Sequence, residues 1–578
     1  MPQDRLTAAT RERALTRLSA SVEPEHELDV LVIGGGITGA GIALDAASRG
    51  LSTAVVEAQD WASGTSSRSS KLVHGGLRYL QMLDFKLVME ALRERDLLLT
   101  EIAPHLVRPL PFLYPLRHRV WERAFVGAGI LLYDGLATIR RGRRALPWHK
   151  HMSRKQVDAV FPGLSQSAAV GAIQYWDANV DDARYVITVM RTAVGHGAFA
   201  AARTQVIELT HADSGAVNGA ILRDLETGNT FPVRAKRVIS STGVWTEQSQ
   251  ALAGAKGGLR VLASKGIHIV VPRDRIRGNA GLILQTKTSV LFVIPWSRYW
   301  VIGTTDTPWT EDLVNPTANA TDIDYVLNEA NSVLENPLSH DDIVGTWAGL
   351  RPLLQPGTMA GTASAKVSRE HTVASPVEGL TVIAGGKFTT YRVMAKDAVD
   401  FALGSGAAAT PSITSTIPLA GAGDQAVDEL RAEITSFGWD ATLVDHLMHR
   451  YGRNIRDIVE ICRQDPGMAA PLVEAPAYLR AEIAYAITHE GALHLDDLMD
   501  RRTRMVYEYS NEAQAALPEV ASIAAETLGW TPDRLDAEFA AYAAVASADA
   551  AAELELDDAS ASKARAAATG FVAMETVS

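Results

Sequence analysis

The sequence has few of the features that mark disulfide-bonded, secreted or membrane-spanning proteins. It contains one cysteine, Cys462, in 578 residues, so it can form neither an internal disulfide nor a Cys-x-x-Cys redox pair, and a cytosolic setting fits. No run of about 18 apolar residues occurs, so we expect no transmembrane helix. The N-terminal segment, MPQDRLTAATRERALTRLSA, also lacks the apolar core of a signal peptide.

Basic charge is also scarce. The chain has 55 Lys and Arg against 67 Asp and Glu, a net charge of −12, which argues against a nucleic-acid binder because phosphate neutralisation needs a basic face. One stretch reverses this balance: residues 66–80, SSRSSKLVHGGLRYL, contain no acid at all. The stretch is either a plain flexible loop or an anion site built from hydroxyls, glycine amides and cations.

The periodicity of the chain predicts a mixed architecture. Residues 28–33, LDVLVI, form a buried-strand pattern, a glycine-rich turn leads into a helix, and residues 52–57, STAVVE, form the next strand. Residues 261–306 alternate and turn like antiparallel strands. The segment 404–424 is rich in Gly, Pro, Ser and Thr and is interpreted as a linker, after which the spacing is helical.

A dinucleotide fingerprint lies between the first two predicted strands. Gly34, Gly36 and Gly39 form G-x-G-x-x-G, and Glu57 ends the second strand 21 residues after Gly36. The glycines allow a tight turn, close approach of a pyrophosphate and helix–strand packing, and the Glu57 carboxylate suits a ribose hydroxyl and disfavours NADP. The fingerprint alone does not separate NAD from FAD. FAD is favoured by further loops at 237–245, 347–353 and 381–392, and by the absence of a second fingerprint.

These motifs together resemble one family. GGGITGAGIALDAASRG, SSRSSKLVHGGLRYL, SKGIHIVVP, IPWSRYWVIGTTD, GLRPL and AGGKFTTYR occur in this order across residues 28–400 and resemble the FAD-dependent, quinone-linked glycerol-3-phosphate dehydrogenases. YAITHEGALHLDDLMDRRTRM resembles the C-terminal domain of that family. The resemblance implies an α/β chain with a Rossmann-like FAD-binding domain, an antiparallel-sheet substrate domain as in amino-acid oxidases, and an all-helical C-terminal domain.

The expected domain boundaries follow from this fold. We expect a discontinuous FAD-binding domain at 26–85, 186–260 and 345–403, and a substrate domain at 86–185 and 261–344. The linker at 404–424 leads to a helical domain at 425–542. The alanine-rich segment 543–578 is expected to be a disordered tail, with a frayed helix as the alternative.

The resemblance also implies which residues contact the cofactor, and it implies no metal. The FAD contacts are expected to be Gly34, Gly36, Gly39, Glu57, Ser66, Ser70, Lys71, His74, Gly75, Gly76, Thr242, Gly243, Gly386, Phe388, Thr389 and Thr390. A purely structural role for His74 remains an alternative.

The substrate implied by the resemblance needs cations for its phosphate and a base for its hydroxyl. His268 suits the base, although without the family a packed core histidine would be the simpler interpretation. Arg351 has no acid beside it in the sequence and is placed next to the reacting carbon as the second catalytic residue. The residues expected to bind the substrate are Arg78, Tyr79, Arg369, Lys387, Thr305 and Asp306. Arg369 could instead form a surface salt bridge, and Thr305 and Asp306 could simply form a turn.

The electron acceptor is suggested by the region 117–155. It carries ten Lys or Arg against Glu122 and Asp134, around an apolar core with flanking aromatic residues. The core is too short to cross a bilayer, and the pattern is typical of a segment lying in an anionic membrane interface. A buried helix with basic flanks is the alternative.

The resemblance agrees with the membrane interpretation. It implies a peripheral protein on the inner, cytoplasmic face of the cell membrane that reduces menaquinone or ubiquinone; a homodimer stays open. A soluble oxidase using oxygen and a non-catalytic dinucleotide-binding regulator are the alternatives. The segment DRRTRM at 500–505 receives no role from the sequence.

Overall fold

A computed structural model describes residues 4–77, 84–138, 145–255, 257–286, 290–355, 371–423, 431, 434–435, 437–509 and 511–572. Its strands, in chain order, are β1 (Val30–Ile33), β2 (Thr53–Val56), β3 (Leu72–Val73), β4 (Arg108–Leu116), β5 (Lys150–Ser153), β6 (Gly171–Asn179), β7 (Phe199–Ala201), β8 (Thr204–His211), β9 (Val217–Asp224), β10 (Thr230–Arg234), β11 (Val238–Ser240), β12 (Val261–Pro272), β13 (Gly281–Gln285), β14 (Val290–Trp296), β15 (Tyr299–Gly303), β16 (Thr307–Pro308), β17 (Gly345–Leu354), β18 (His371–Val377) and β19 (Leu380–Gly385).

The α-helices surround these strands and form the C-terminal part of the chain. They are α1 (Ala8–Ala20), α2 (Ile37–Ser48), α3 (Phe85–Leu97), α4 (Trp121–Thr138), α5 (Arg154–Val160), α6 (Asp182–Gly195), α7 (Thr246–Ala251), α8 (Ala320–Asn331), α9 (Tyr391–Leu403), α10 (Ala441–Tyr451), α11 (Ile455–Gln464), α12 (Arg480–Glu490), α13 (Met505–Glu508), α14 (Asn511–Leu528), α15 (Pro532–Glu553) and α16 (Asp558–Arg565). A π-helical segment, Asp497–Thr503, precedes α13. None of the described helices is long and apolar enough to cross a membrane.

The glycine fingerprint follows the carboxyl end of β1, a central strand of a mainly parallel sheet. The strand order is β18-β19-β11-β1-β2-β7, and the pairs from β19 through β7 are all parallel. All four residues of β1 and of β2 are buried, because α2, α6 and α9 cover one face of the sheet, while α1 and a three-stranded antiparallel sheet, β10-β9-β8, cover the other. Helix α2 has nearly every side chain buried and packs against α6 and α9. This confirms the Rossmann-like domain.

A second, 10-stranded sheet forms the substrate domain, along the path β16-β12-β15-β14-β13-β4-β6-β3 with β17 and β5 beside it. Two expected boundaries are wrong here. Strand β17, assigned to the FAD-binding domain, pairs antiparallel with β12 from Val261↔Leu354 to Val270↔Gly345, and β3 pairs with β6. The alternation of residues 261–306 was visible in the sequence, but the partner of a strand is a long-range property that local pattern does not contain.

The C-terminal region is helical, as expected, and it continues further than expected. The prediction of a disordered tail from residue 543 is wrong: α15 runs through to Glu553 and α16 follows. The reason is tertiary contact, since Lys265 of β12 pairs with Asp558 and Thr346 of β17 donates to Glu553. The linker also lies against the protein body, where Leu419 is buried and its amide donates to the Ile102 carbonyl.

Candidate active site

A cavity of about 1080 Å³ opens where the two sheets and the C-terminal region meet. On the side of the parallel sheet its wall consists of the β1–α2 turn, residues following β2, and the ends of β11 and β19. Strands β12 and β17 supply residues from the substrate sheet. Such a position, outside the carboxyl ends of parallel strands, is where open α/β sheets bind ligands.

The glycine turn leaves room for a ligand at the start of α2. Gly34 has a φ of +107°, and a Cβ there would lie 2.8 Å from the Ser241 carbonyl oxygen. A Cβ at Gly36 would lie 3.1 Å from Ser66 Oγ, which accepts a hydrogen bond of 3.0 Å from the Ile37 amide. The turn therefore presents helix N-terminal amides to the cavity, the arrangement that binds pyrophosphate.

Gly39 has a packing role instead. A Cβ there would lie 1.8 Å from the Gly34 carbonyl oxygen, and Gly39 is absent from the cavity wall. This is the helix–strand contact expected of the third glycine in the fingerprint.

Glu57 lies on the cavity wall directly after β2. Its carboxylate accepts hydrogen bonds of 2.6 Å from the Gly35 amide and 2.8 Å from the Gln59 amide. Burial raises the pKa of Glu57, and the two amides partly oppose that shift. An acceptor fixed in this way suits the hydroxyls of a ribose.

Only part of the acid-free stretch, residues 66–80, faces the cavity. Ser66, Arg68 and Ser70 line the cavity, as expected for an anion site. Lys71, which was expected to contact the cofactor, lies behind the wall: its Nζ is 2.7 Å from Asp182 Oδ1 and lies over the Trp347 ring. Burial, and then the nearby Arg504 guanidinium, lower the pKa of Lys71 to about 8.

Some of the remaining residues predicted to bind the cofactor line the cavity, and the others lie behind its wall. His74, Thr242, Gly243, Gly386, Phe388 and Thr389 line the cavity. Gly75, Gly76 and Thr390 lie behind that wall, where Thr390 donates to the Lys387 carbonyl. Lys387, predicted to bind substrate, lies on the wall, whereas Arg78, Tyr79 and Arg369 lie outside the described residues.

His268 projects from β12 to the cavity wall. It is buried, its ring stacks on Trp347 with centroids 5.1 Å apart, and its Nε2 lies 2.8 Å from Ser70 Oγ. Burial, then the Arg351 and Lys71 charges, lower the pKa of His268 well below its ordinary value. The imidazole is therefore neutral at physiological pH and has a lone pair with which to accept a proton.

Arg351 also lines the cavity, from β17. The sequence suggested that it had no acid nearby, but the fold brings Asp306 to 3.2 Å from its Nη1. Its Nη2 donates to Thr304 Oγ1 and to the Thr305 carbonyl, both at 3.0 Å. Thr305 and Asp306, expected to contact substrate, are not on the cavity wall; Thr305 Oγ1 accepts from the Ile267 amide. Both residues thus orient the arginine and its strand.

Comparison with known proteins agrees with this geometry. A family model described as FAD dependent oxidoreductase matches residues 29–397, and one described as the C-terminal domain of alpha-glycerophosphate oxidase matches residues 412–535. The chain is 48% identical over 548 residues to the glycerol-3-phosphate dehydrogenase of Mycobacterium leprae (strain TN), covering 94% of this chain and 92% of that protein. The chain belongs to the FAD-dependent glycerol-3-phosphate dehydrogenase family.

A related bacterial structure confirms the fold and the cofactor of this dehydrogenase family. The glycerol-3-phosphate dehydrogenase of Bacillus halodurans, solved in complex with FAD, superposes with a TM-score of 0.72 at 29% identity and covers 92% of this chain and 95% of its own. Glycerol-3-phosphate dehydrogenase 2 of Mycobacterium tuberculosis (strain ATCC 25618 / H37Rv) is 48% identical over 572 residues, covering 98% of this chain and 95% of that protein. The glycine turn and Glu57 fit the pyrophosphate and ribose of FAD.

The sequence did not predict the other side of this cavity. Asp496, Asp500 and Arg501 of the helical domain line it, as do Tyr542 and Asp549 of α15 and, beyond α15, residues 565–566 and 568–572. The dense charges of DRRTRM were the one available signal. Arg502 makes a bidentate contact with Asp60 at 2.6 and 2.8 Å, and Arg504 pairs with Asp181 and Asp182. These buried ion pairs hold the helical domain against the segment that follows β2 and against the start of α6.

Proposed function

We propose that this dehydrogenase oxidises sn-glycerol 3-phosphate to dihydroxyacetone phosphate and passes the electrons to a membrane quinone, menaquinone or ubiquinone. One observation supports the first half best: a neutral buried histidine and an oriented arginine, His268 and Arg351, line the same cavity as the dinucleotide turn. That combination provides a proton acceptor and a fixed cation beside the place where a flavin would receive a hydride. Bound FAD supplies the acceptor for the hydride that leaves C2.

His268 is the proposed base. It accepts the C2 hydroxyl proton at Nε2, the nitrogen that faces Ser70 on the wall. Its lowered pKa keeps it unprotonated before substrate binds, and the dianionic phosphate of the substrate would then offset the Arg351 charge and favour the imidazolium that forms.

Arg351 is proposed to stabilise the negative charge that develops on the C2 oxygen. Its guanidinium is held by Asp306 and by the Thr304 hydroxyl, so it needs little reorganisation as charge develops. Lys387 on the wall is the described candidate for the phosphate; Arg78, Tyr79 and Arg369 are proposed to complete that subsite.

The outer face of α4 supports the membrane half of the proposal. Trp121, Phe125, Leu131 and Leu132 are 62%, 67%, 54% and 42% exposed, and Val120 just before the helix is 80% exposed. Large apolar side chains concentrated on one helix face, beside a basic segment, are typical of interfacial helices. The helix is also on the surface, so the alternative of a fully buried helix does not fit.

The membrane proposal can be tested with matched triple variants. Trp121→Ser/Phe125→Ser/Leu132→Ser removes apolar area that is proposed to insert, whereas Val473→Ser/Leu554→Ser/Leu556→Ser removes apolar side chains elsewhere that are at least as exposed. We expect only the first to lose sedimentation with anionic liposomes and reduction of a long-chain quinone, with reduction of a soluble dye retained. Equal behaviour of the two variants would contradict a role of α4 at the membrane.

The catalytic proposal is tested by the choice of acceptor and by the base. His268→Gln keeps the size and the polar end but cannot take up the proton, so flavin reduction in a single turnover should fall by at least about a hundredfold.

Wild-type protein in liposomes should reduce quinone faster than oxygen. Fast peroxide formation with slow quinone reduction would identify an oxidase, and an unchanged rate in the variant would exclude His268 as the base.

A further inference from the structure

The turn that carries His74 to the cavity is held from two sides. On the cavity side, Thr389 Oγ1 accepts a hydrogen bond of 3.1 Å from the His74 amide. On the opposite side, Tyr133 Oη accepts one of 2.8 Å from the Gly75 amide, and Asp177 Oδ1 is a longer second acceptor of the same amide at 3.4 Å. Tyr133 belongs to α4, more than fifty residues further along the chain, and the sequence gave no indication of this contact.

The hydroxyl of Tyr133 is itself fixed by a buried ion pair. It donates to Asp177 Oδ1 at 2.7 Å, and the same oxygen accepts from Arg95 Nη1 at 2.8 Å. The Arg95 guanidinium also contacts Asp96 at 2.8 Å. Tyr133, Asp177 and Arg95 are all buried. A neutral hydroxyl anchored in this way has one defined direction for its lone pairs, and one of them meets the Gly75 amide.

The packing shows that the turn fits closely against this hydroxyl. A Cβ on Gly75 would lie 2.5 Å from Tyr133 Oη and 2.4 Å from Leu92 Cδ2. Position 75 therefore has no room for any side chain while the hydroxyl is in place. Gly76 follows with a φ of +76°, a conformation that favours glycine. Gly75 is thus explained by contact with α3 and α4, and Gly76 by its backbone conformation.

We infer that the Tyr133 hydroxyl is a positioning group for the reaction, because it sets the His74–Gly75 peptide, and with it the His74 side chain, on the cavity wall. The inference rests on the proposed function. It assigns Tyr133 no contact with substrate or cofactor: its effect passes through the Gly75 amide. The hydrogen bond therefore governs geometry at this part of the wall, while FAD affinity is expected to depend on the glycine turn at the start of α2.

The test is removal of one oxygen atom. Tyr133→Phe keeps the ring and deletes the hydroxyl. Tyr175→Phe is the matched control, because its ring packs on Tyr133 and Phe112 and is equally buried, while no hydrogen bond joins its hydroxyl to the turn in the described part of the chain. For Tyr133→Phe we expect bound FAD, an altered visible circular dichroism of the flavin, and anaerobic reduction about tenfold slower at saturating substrate. Tyr175→Phe should match wild type in both readouts.

Three outcomes separate the possibilities. A slower reduction and a changed flavin spectrum in Tyr133→Phe alone support the inference. Two variants with lowered thermal stability but wild-type spectra and reduction rates would overturn it, because the tyrosines would then be only core residues. Failure of the wild-type flavin to be reduced by glycerol 3-phosphate would instead overturn the proposed function, although the spectral comparison would still hold.

A second variant covers the case in which Tyr133→Phe does not fold. Asp177→Asn keeps the shape and an acceptor oxygen but weakens the anchor of the hydroxyl, since the charge that pairs with Arg95 is lost. It should change the flavin spectrum in the same direction with FAD retained. A wild-type spectrum and rate in this variant would also contradict the inference.

Discussion

Two walls of the same cavity are built in different ways. The wall made by the β1–α2 turn and Glu57 comes from one short stretch of chain, residues 30–57, in which strand, turn and helix follow each other directly. The opposite wall comes from the helical domain and from residues 538–572, and reaches the first through contacts such as Arg502 to Asp60, 442 residues apart. The first wall depends on backbone shape, the second on buried charge.

The two walls therefore differ in how they fail. A glycine turn loses its ability to bind a ligand when a Cβ is added, because the ligand needs the space that the missing side chain leaves. A buried ion pair is lost when one partner is removed, because the remaining charge lies in a low-dielectric interior without compensation. The following predictions use this difference, from the largest expected effect to the smallest.

The largest effect is expected at the glycine turn. Gly36→Val would place a branched side chain against Ser66 Oγ, which lies 3.1 Å from even a single Cβ, at the site of the pyrophosphate. We predict folded, colourless protein. The matched control is Gly406→Val, at an exposed position where a Cβ meets no atom within 4 Å; it should stay yellow. Normal flavin absorbance in Gly36→Val would show that this turn does not hold FAD.

The second effect tests the charged wall. Arg502→Leu leaves the buried Asp60 carboxylate with Arg501 as its remaining partner, and unfolding by denaturant should require about 3 kcal/mol less. Arg431→Leu breaks the exposed pair with Asp445, which should cost about 0–1 kcal/mol. Equal losses in the free energy of unfolding of the two variants would mean that burial of the Asp60 ion pair does not stabilise the interface between the domains.

A smaller effect is expected in the C-terminal segment beyond α15. Arg565 lies on the cavity wall, pairs with Asp549 at 2.6 Å and donates to Asn315 Oδ1 at 3.1 Å. Arg565→Ala should loosen this segment and speed FAD release, measured by dilution into a flavin-scavenging protein, by about tenfold. Lys563→Ala, on the exposed side of the same helix, should leave the rate unchanged. The account fails here if both variants release FAD at the wild-type rate.

The smallest effect is a pH dependence. His494 is buried between Glu226 and Glu538; burial opposes its charge, but the two hydrogen bonds outweigh it and raise the pKa of His494 to about 9. A raised pKa stabilises the folded state fully below about pH 6.5 and loses that contribution as pH rises through 9. Thermal stability of wild type minus that of His494→Gln should therefore fall over this range. A constant difference would show that His494 is neutral in the folded protein.

How much could be predicted from the sequence follows the same division. Gly34, Gly36, Glu57 and His268 all lie on the cavity wall; the first three belong to one local motif whose residues stay together in the fold, whereas His268 was named from the family resemblance. Asp306 and Arg351 were both named, but their contact was not predicted, because it forms only where β16 and β17 both pair with β12. The helical structure of residues 543–572 was not predicted, because their alanine-rich composition does not show that a distant lysine, Lys265, pairs with Asp558 of this segment.

The contact of Tyr133 with Gly75 could not be predicted from the sequence for a further reason. The aromatic residues of α4 were interpreted as one flanking group, yet Trp121 is exposed and Tyr133 is buried. Which face of an amphipathic helix meets the protein depends on the sheet it packs against. Only the fold shows that this helix has an outer apolar face and an inner hydroxyl on the active-site turn.

The central claim, that this cavity holds FAD and uses it to oxidise glycerol 3-phosphate, is tested most directly by anaerobic titration of the purified protein. The account predicts a yellow protein whose flavin absorbance bleaches on addition of glycerol 3-phosphate, with one dihydroxyacetone phosphate formed per flavin, and which glycerol does not bleach. A flavin that dithionite reduces but glycerol 3-phosphate leaves fully oxidised would contradict the account.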